Sequence, residues 1–220
     1  DGMEKFFDPD KIVKTGNPVR KELYNKEINK QQALEYFGLD SSKKTILILG
    51  GSGGARTINE SVIGNLAKFE QSEAQFIWQT GKFYYEQSHH SLKNYKNNNI
   101  KIFDFLNRMD FAFAAADVVV SRAGAGTISE LCLVEKATIL VPSPNVAEDH
   151  QTKNAMALVN RNAALLIKDI EARQKLVDCA LKLCFDDNHQ RELQENISRM
   201  AIKDSDKLIA GEILKLCHSE

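Results

Sequence analysis

KTILILGGSGGARTINESVIGNLAKF, residues 44–69, sets an unbroken apolar run, Ile46-Leu47-Ile48-Leu49, against five turn residues, Gly50-Gly51-Ser52-Gly53-Gly54. Ile58, Val62, Ile63 and Leu66 then follow at helical spacing. An apolar run without alternation is what a parallel strand covered on both faces requires. Strand, glycine turn and helix make one unit, and the unit recurs. AQFIWQTG (74–81) leads to the helix YYEQSHHSLKNY, NIKIFDFL (99–106) to NRMDFAFAAA, and DVVVSRAG (117–124) to TISELCLVEK. ATILVPSP (137–144) leads to DHQTKNAMALVNRN, and AALLI (163–167) is strand-like. This alternation predicts an α/β chain with a Rossmann-like, doubly wound parallel sheet. ARQKLVDCALKLCFDD and HQRELQENISRMAIKDSDKLIAGEILKLC carry apolar residues three and four apart between charges, as helices do. With no repeat or internal linker, residues 1–220 read as a single domain, with a core over about 10–170 and a helical tail over about 171–220.

Composition narrows the function. Twenty-nine basic and 30 acidic residues give a net charge of -1, so there is no bulk electrostatic case for nucleic acid. No run approaches the length of a membrane span. Cys132, Cys179, Cys184 and Cys217 show neither a CxxC pair nor zinc spacing, and their apolar contexts predict buried thiols in a reducing compartment. The opening DGMEKFFDPDKIVKTGNPVRKEL reads as mid-protein chain entering a domain.

In doubly wound sheets ligands bind beyond the carboxyl ends of the strands. Ser52, Leu106, Gly124 and the segment near Asn145 are all expected there, on one rim. GGSGGA is either a plain turn or a cradle whose backbone N–H groups and helix N-terminus meet an anion. A dinucleotide fold would place a carboxylate after the next strand, where this chain has Gln79 and Thr80. A nucleotide-hydrolysing phosphate loop would need Gly-Lys-Ser/Thr. SRAGAGTISE (121–130) also leaves a strand through glycine into a polar helix start. Thr127 and Glu130 have capping-box form, with Thr127 at the N-cap. Alternatively Glu130 accepts two hydrogen bonds from a ribose diol while the amides of 126–129 face a phosphate. In TGNPVRKE (15–22) a Gly-Asn-Pro turn fixes Arg20. Asp149 reads as the N-cap of the helix that carries His150 and Gln151. His89, His90 and His150 lack helical partners of ligand type, so no metal site is expected.

As a set, TGNPVR, LGGSGGAR.IN, FL..M...AAADVVVSRAGAGTISE and VPSPN...DHQTKNA resemble the carboxy-terminal half of the MurG family, from about residue 10 to residue 170. These are the N-acetylglucosaminyltransferases that make lipid II for bacterial peptidoglycan. The resemblance implies a GT-B fold whose carboxy-terminal, Rossmann-like domain binds UDP-N-acetylglucosamine, with no cofactor or metal. It implies that Arg20 and Ser52 meet the diphosphate region and that the Leu106 backbone meets uracil. Ala125, Gly126, Thr127, Ile128, Ser129 and Glu130 would line diphosphate and ribose, and Gln151 would hold sugar hydroxyls. Gly53, Gly126 and His150 depart from the family's commoner residues. The acceptor site for undecaprenyl-linked lipid I and the general base belong to an amino-terminal domain whose motifs are absent here, so no catalytic residue is named. A membrane-peripheral enzyme on the cytoplasmic face of the bacterial inner membrane is implied, with this stretch soluble and inactive alone. Another UDP-sugar enzyme, such as a UDP-N-acetylglucosamine 2-epimerase, or a non-catalytic nucleotide-sugar module are the alternatives.

Overall fold

The computed structural model describes residues 3–24 and 27–217. Six parallel strands form one sheet: β1 (Thr45–Leu49), β2 (Gln75–Gln79), β3 (Ile100–Phe103), β4 (Val118–Ser121), β5 (Ala137–Leu140) and β6 (Leu165–Leu166). Their order is β3-β2-β1-β4-β5-β6, so the chain reverses its direction of winding between β1 and β4. The expected doubly wound sheet is present. Among the described residues ten α-helices accompany it: α1 (Lys30–Phe37), α2 (Arg56–Ile63), α3 (Leu66–Gln71), α4 (Tyr85–Ser91), α5 (Met109–Ala115), α6 (Ala125–Val134), α7 (His150–Val159), α8 (Asp169–Cys184), α9 (Asp187–Ser198) and α10 (Ser205–Cys217).

Because β1, β2, β4 and β5 are interior strands, both faces of each must be apolar, and β1 and β4 are buried at every position. Alternate residues feed two cores. Leu47, Ile77, Val119 and Leu140 pack with α1, α5, α6 and α7 on one face. Ile46, Ile48, Phe76, Trp78, Val120 and Ile139 pack with α2, α3 and α8 on the other. The strands run shorter than the sequence pattern: the segment expected over 137–144 leaves the sheet after Leu140, where Pro142 lacks the N–H a ladder needs. The carboxy-terminal run expected to be helical throughout breaks at residues 199–204, with Asp204 at φ 54 before α10 begins. Cys132 and Cys184 are buried, and burial raises their thiols to about 11 and about 12. Cys217, expected inside, is exposed at the end of α10, where only Ser205 is buried, and Cys179 is half-buried, packed against the edge of the α2–α8 core.

One buried polar link joins strand and helix beneath the first glycine turn. Trp78, fully buried, donates its indole N–H to Asn59 Oδ1 at 3.0 Å, and Asn59 Nδ2 donates to the carbonyl of Thr80 at 2.8 Å. Replacing Asn59 by Ala orphans a buried donor and a buried acceptor, each costing about 1–3 kcal/mol. Urea unfolding of Asn59→Ala is therefore expected to show a clear drop in midpoint, far beyond the effect of an exposed substitution on α2.

Candidate donor site

All six strands point the same way, so the loops after β1, β2, β3, β4 and β5 share one rim. The glycine turn after β1 lies against the turn after β2. Gly54 and Gly81 both have positive φ (95° and 78°), and a Cβ on Gly81 would sit 2.2 Å from the Gly54 nitrogen. Only glycine permits that contact. Ser52, exposed beside it, accepts at its carbonyl from the Lys82 N–H at 3.2 Å and leaves its hydroxyl open.

At the second glycine turn the structure corrects the sequence reading. Helix α6 begins at Ala125 with Gly124, extended at φ -65 and ψ 148, as its N-cap. Thr127 is therefore the third helical residue, Glu130 the sixth, and no capping box forms. The cause is packing phase: Ile128 joins Leu131 and Cys132 against the core, so its turn must already be helical. The amides left open are then those of residues 124–127, two residues earlier than the 126–129 expected. Ile128 N–H already donates to the Gly124 carbonyl at 2.9 Å. The Ser129 hydroxyl is also committed, accepting from Asn17 Nδ2 at 2.9 Å and lying 3.2 Å from the Ala125 carbonyl that it donates to.

The Asn17 bond brings the 15–20 segment onto α6 and Arg20 within electrostatic range of Glu130. Glu130 is half-buried and accepts no hydrogen bond from any described residue. Burial pushes its carboxyl above the usual value, and the Arg20 charge pulls it part of the way back. Leu106 is buried, and its N–H donates to Gln79 Oε1 at 3.1 Å, so that of its two backbone groups the N–H is already committed. Gln79, read in the sequence only as a missing carboxylate, is thus the residue that holds the loop after β3.

Across the rim, a polar cleft of about 490 Å³ is lined by Gly54, Thr57, Tyr84, Arg122, Ser143 and Gln151, among others. Gln151 Oε1 accepts from the N–H of Ser143 at 2.9 Å and of Ala123 at 3.2 Å. Two N–H donors fix which atom is the oxygen, and the NH₂ is left without a partner among the described residues. Asp149 occupies the N-cap of α7 in the left-handed region, and its carboxylate accepts from the Thr152 hydroxyl at 2.7 Å rather than from an amide. Arg122, passed over in the sequence, donates to the carbonyls of Val141 and Pro142 at 3.1 and 3.2 Å and pairs with Asp169. Asp169 also accepts from the Thr57 hydroxyl at 2.8 Å. The only sequence signal for this pin was an arginine immediately after a buried strand.

A parallel sheet wound in this order, with two glycine-bearing helix starts and a half-buried carboxylate on its rim, is the class of doubly wound α/β fold that receives ligands beyond the carboxyl ends of its strands. The profile of the glycosyltransferase family 28 C-terminal domain matches residues 45–210, and the chain belongs to that family. It is 54% identical over 216 residues to the UDP-N-acetylglucosamine--N-acetylmuramyl-(pentapeptide) pyrophosphoryl-undecaprenol N-acetylglucosamine transferase of Parabacteroides distasonis, covering 98% of this chain and 59% of that protein. The chain thus spans about three fifths of the curated relatives it matches. Among solved structures it resembles Acinetobacter baumannii MurG (25% identity, TM-score 0.67, 83% of this chain and 53% of that one). A putative UDP-N-acetylglucosamine 2-epimerase from Listeria monocytogenes (12% identity, TM-score 0.70, 99% and 57%) shares the fold alone.

The Glu130 carboxyl yields a prediction whose sign is opposite for stability and for binding. Its folded pKa is raised, so the ionised form costs folding free energy, and that cost disappears as pH falls through the folded value. At neutral pH Glu130→Gln is expected to melt no lower than the wild type. Arg20→Ala is expected to move the acid-side fall of ligand affinity to higher pH, measured by titration calorimetry across pH 4–8.

Proposed function

We propose that this chain binds UDP-N-acetylglucosamine on the carboxyl rim of its sheet, as the donor half of an enzyme that transfers N-acetylglucosamine to lipid I and so forms lipid II. The observation that carries the reading is Glu130: half-buried, within electrostatic range of Arg20, and without a hydrogen-bond donor among the described residues, a carboxylate in search of hydroxyls. A ribose diol supplies two. The open amides of residues 124–127 and the Gly50–Gly54 turn would then meet a diphosphate joined to that ribose. The Leu106 carbonyl would meet the uracil, and Ser52 and the Gln151 NH₂ the phosphate and sugar ends. The names borne by the relatives supply the acceptor and product.

The acceptor hydroxyl attacks the anomeric carbon from the face opposite UDP, the C–O bond to UDP breaks, and configuration inverts. Negative charge grows on the departing diphosphate, and Arg20 with two helix N-termini offsets it without a divalent ion. The base that takes the acceptor proton is assigned to no residue of this chain, so the chain alone is expected to bind and not to transfer. No helix among the described residues is long and apolar enough to cross a membrane. An undecaprenyl-linked acceptor would place the working enzyme against the cytoplasmic surface of the bacterial inner membrane.

Calorimetric titration should show UDP binding in the presence of a chelator. Glu130→Gln should weaken it by roughly tenfold or more, since charge-assisted hydrogen bonds are worth about 1.5–3 kcal/mol. Undiminished UDP affinity in that variant would remove Glu130 from the ribose and the reading with it.

Gln151 offers a separate check, because one side chain holds two loops and presents one free NH₂. Gln151→Glu keeps an acceptor for Ser143 and Ala123 but loses the donor. UDP affinity should hold while UDP-N-acetylglucosamine affinity falls by about two- to tenfold. Gln151→Ala, which also releases the loops, should weaken both ligands.

A further inference from the structure

The turn after β2 carries two adjacent aromatic residues, and the glycine turn after β1 is shaped to receive them. A Cβ on Gly54 would lie 2.3 Å from Tyr84 Cδ2, so the missing side chain there is what lets the Tyr84 ring settle on the turn and line the cleft. Phe83 is placed differently. It is 86% exposed, more open than any other large apolar side chain among the described residues. Its ring edge, Cε2, stands 3.9 Å from the position a Gly53 Cβ would take. Around it Gly51, Ser52 and Gly53 present bare peptide and one open hydroxyl, and Gly51 has nothing within 4 Å of its own Cβ position.

A single exposed apolar residue ordinarily needs no explanation. This one is held in register with the phosphate-facing turn by three backbone constraints: the Lys82 N–H to Ser52 carbonyl bond at 3.2 Å, the Tyr84 N–H to Gly81 carbonyl bond at 3.2 Å, and the Gly54–Gly81 contact. A large ring on so fixed a backbone loses little conformational freedom when something covers it. What lies within its reach is mixed in character, an apolar ring beside peptide N–H groups and a hydroxyl. A pyranose matches that mixture, with an apolar C–H face and a polar edge of hydroxyls. The cleft lined by Tyr84 and Gln151 begins at the adjacent residue.

We infer that Phe83 is a positioning residue for the sugar of the nucleotide-sugar donor, covering one face of the hexosamine ring over the glycine turn while Gln151 meets its hydroxyls. The inference rests on the donor reading above and adds a specificity element to it: the nucleotide is held by α6 and Glu130, and the sugar is sorted by the aromatic turn.

The test compares UDP and UDP-N-acetylglucosamine on the 220-residue chain with Phe83, Phe83→Ala and Phe83→Tyr. Phe83→Ala should bind UDP as the unaltered chain does and lose between about twofold and tenfold for UDP-N-acetylglucosamine, the range of aromatic face contacts. Phe83→Tyr, which keeps the ring, should retain both affinities. Equal affinities of Phe83→Ala and the unaltered chain for the sugar nucleotide overturn the inference, as does an equal loss for both ligands, which would assign Phe83 to the shape of the turn. If the unaltered chain binds UDP but gains nothing from the sugar, this inference falls while the nucleotide site stands. If it binds neither, the donor reading falls and takes this one with it.

Discussion

The rim is organised by a contact between two backbones. Gly81 lies so close to Gly54 that a Cβ on it would overlap the Gly54 backbone, a Cβ on Gly54 would overlap the Tyr84 ring and the Thr80 carbonyl, and both glycines sit in the left-handed region where other residues are strained. Everything on that side of the site follows from it. Tyr84 is laid on the turn, Phe83 stands beside Gly53, and Ser52 is left exposed. Beneath the contact, Asn59 ties the Thr80 carbonyl to the Trp78 indole, so the turn rests on the core and not on solvent. The chain thus uses two glycines to make a surface that is nearly all backbone, the kind of surface a phosphate or a sugar can approach closely.

The other side of the rim is held by side chains instead. Arg122 gathers the loop after β5 and, through Asp169, the start of α8, while the Thr57 hydroxyl brings in α2. Arg122 and Asp169 have side chains only 19% and 18% exposed. An ion pair so placed adds little net stability, since desolvation offsets much of its attraction. Its value lies in fixing three loops from two faces of the sheet relative to one another. Gln151 does the same for the ends of β4 and β5 with uncharged bonds, and keeps one amide hydrogen-bonding group for a ligand.

Between these two halves stands Glu130, whose surroundings raise its pKa without giving it a partner. A carboxylate in that condition is a cost to the free protein, and on the reading we propose the ribose hydroxyls of the donor would satisfy it. The Arg20 charge moderates the cost without removing it, and reaches Glu130 only because Asn17 fastens the 15–20 segment to α6. The free protein thus carries a stability cost at one residue, as happens where function and folding compete for the same side chain.

How much of this could be read from the sequence follows the range of the forces involved. The strand-turn-helix units were legible because periodicity and glycine placement act over a few residues, and Ile46–Leu49 with Gly50–Gly54 carried that message alone. The parallel sheet and the common rim followed from repetition of the unit. The start of α6 was not legible: Thr127 and Glu130 have the local form of a cap, but Ile128 must face the core, and that demand overrides the local preference by a full turn. The tie of Arg122 to Asp169 spans 47 residues, that of Asn17 to Ser129 spans 112, and neither leaves a local trace. The sequence by itself determined the strand-turn-helix units and the rim residues proposed to meet a nucleotide sugar. The tertiary structure decided which of their atoms remain free to do so, because a hydrogen-bonding group already satisfied by a distant part of the chain has nothing left to offer a ligand.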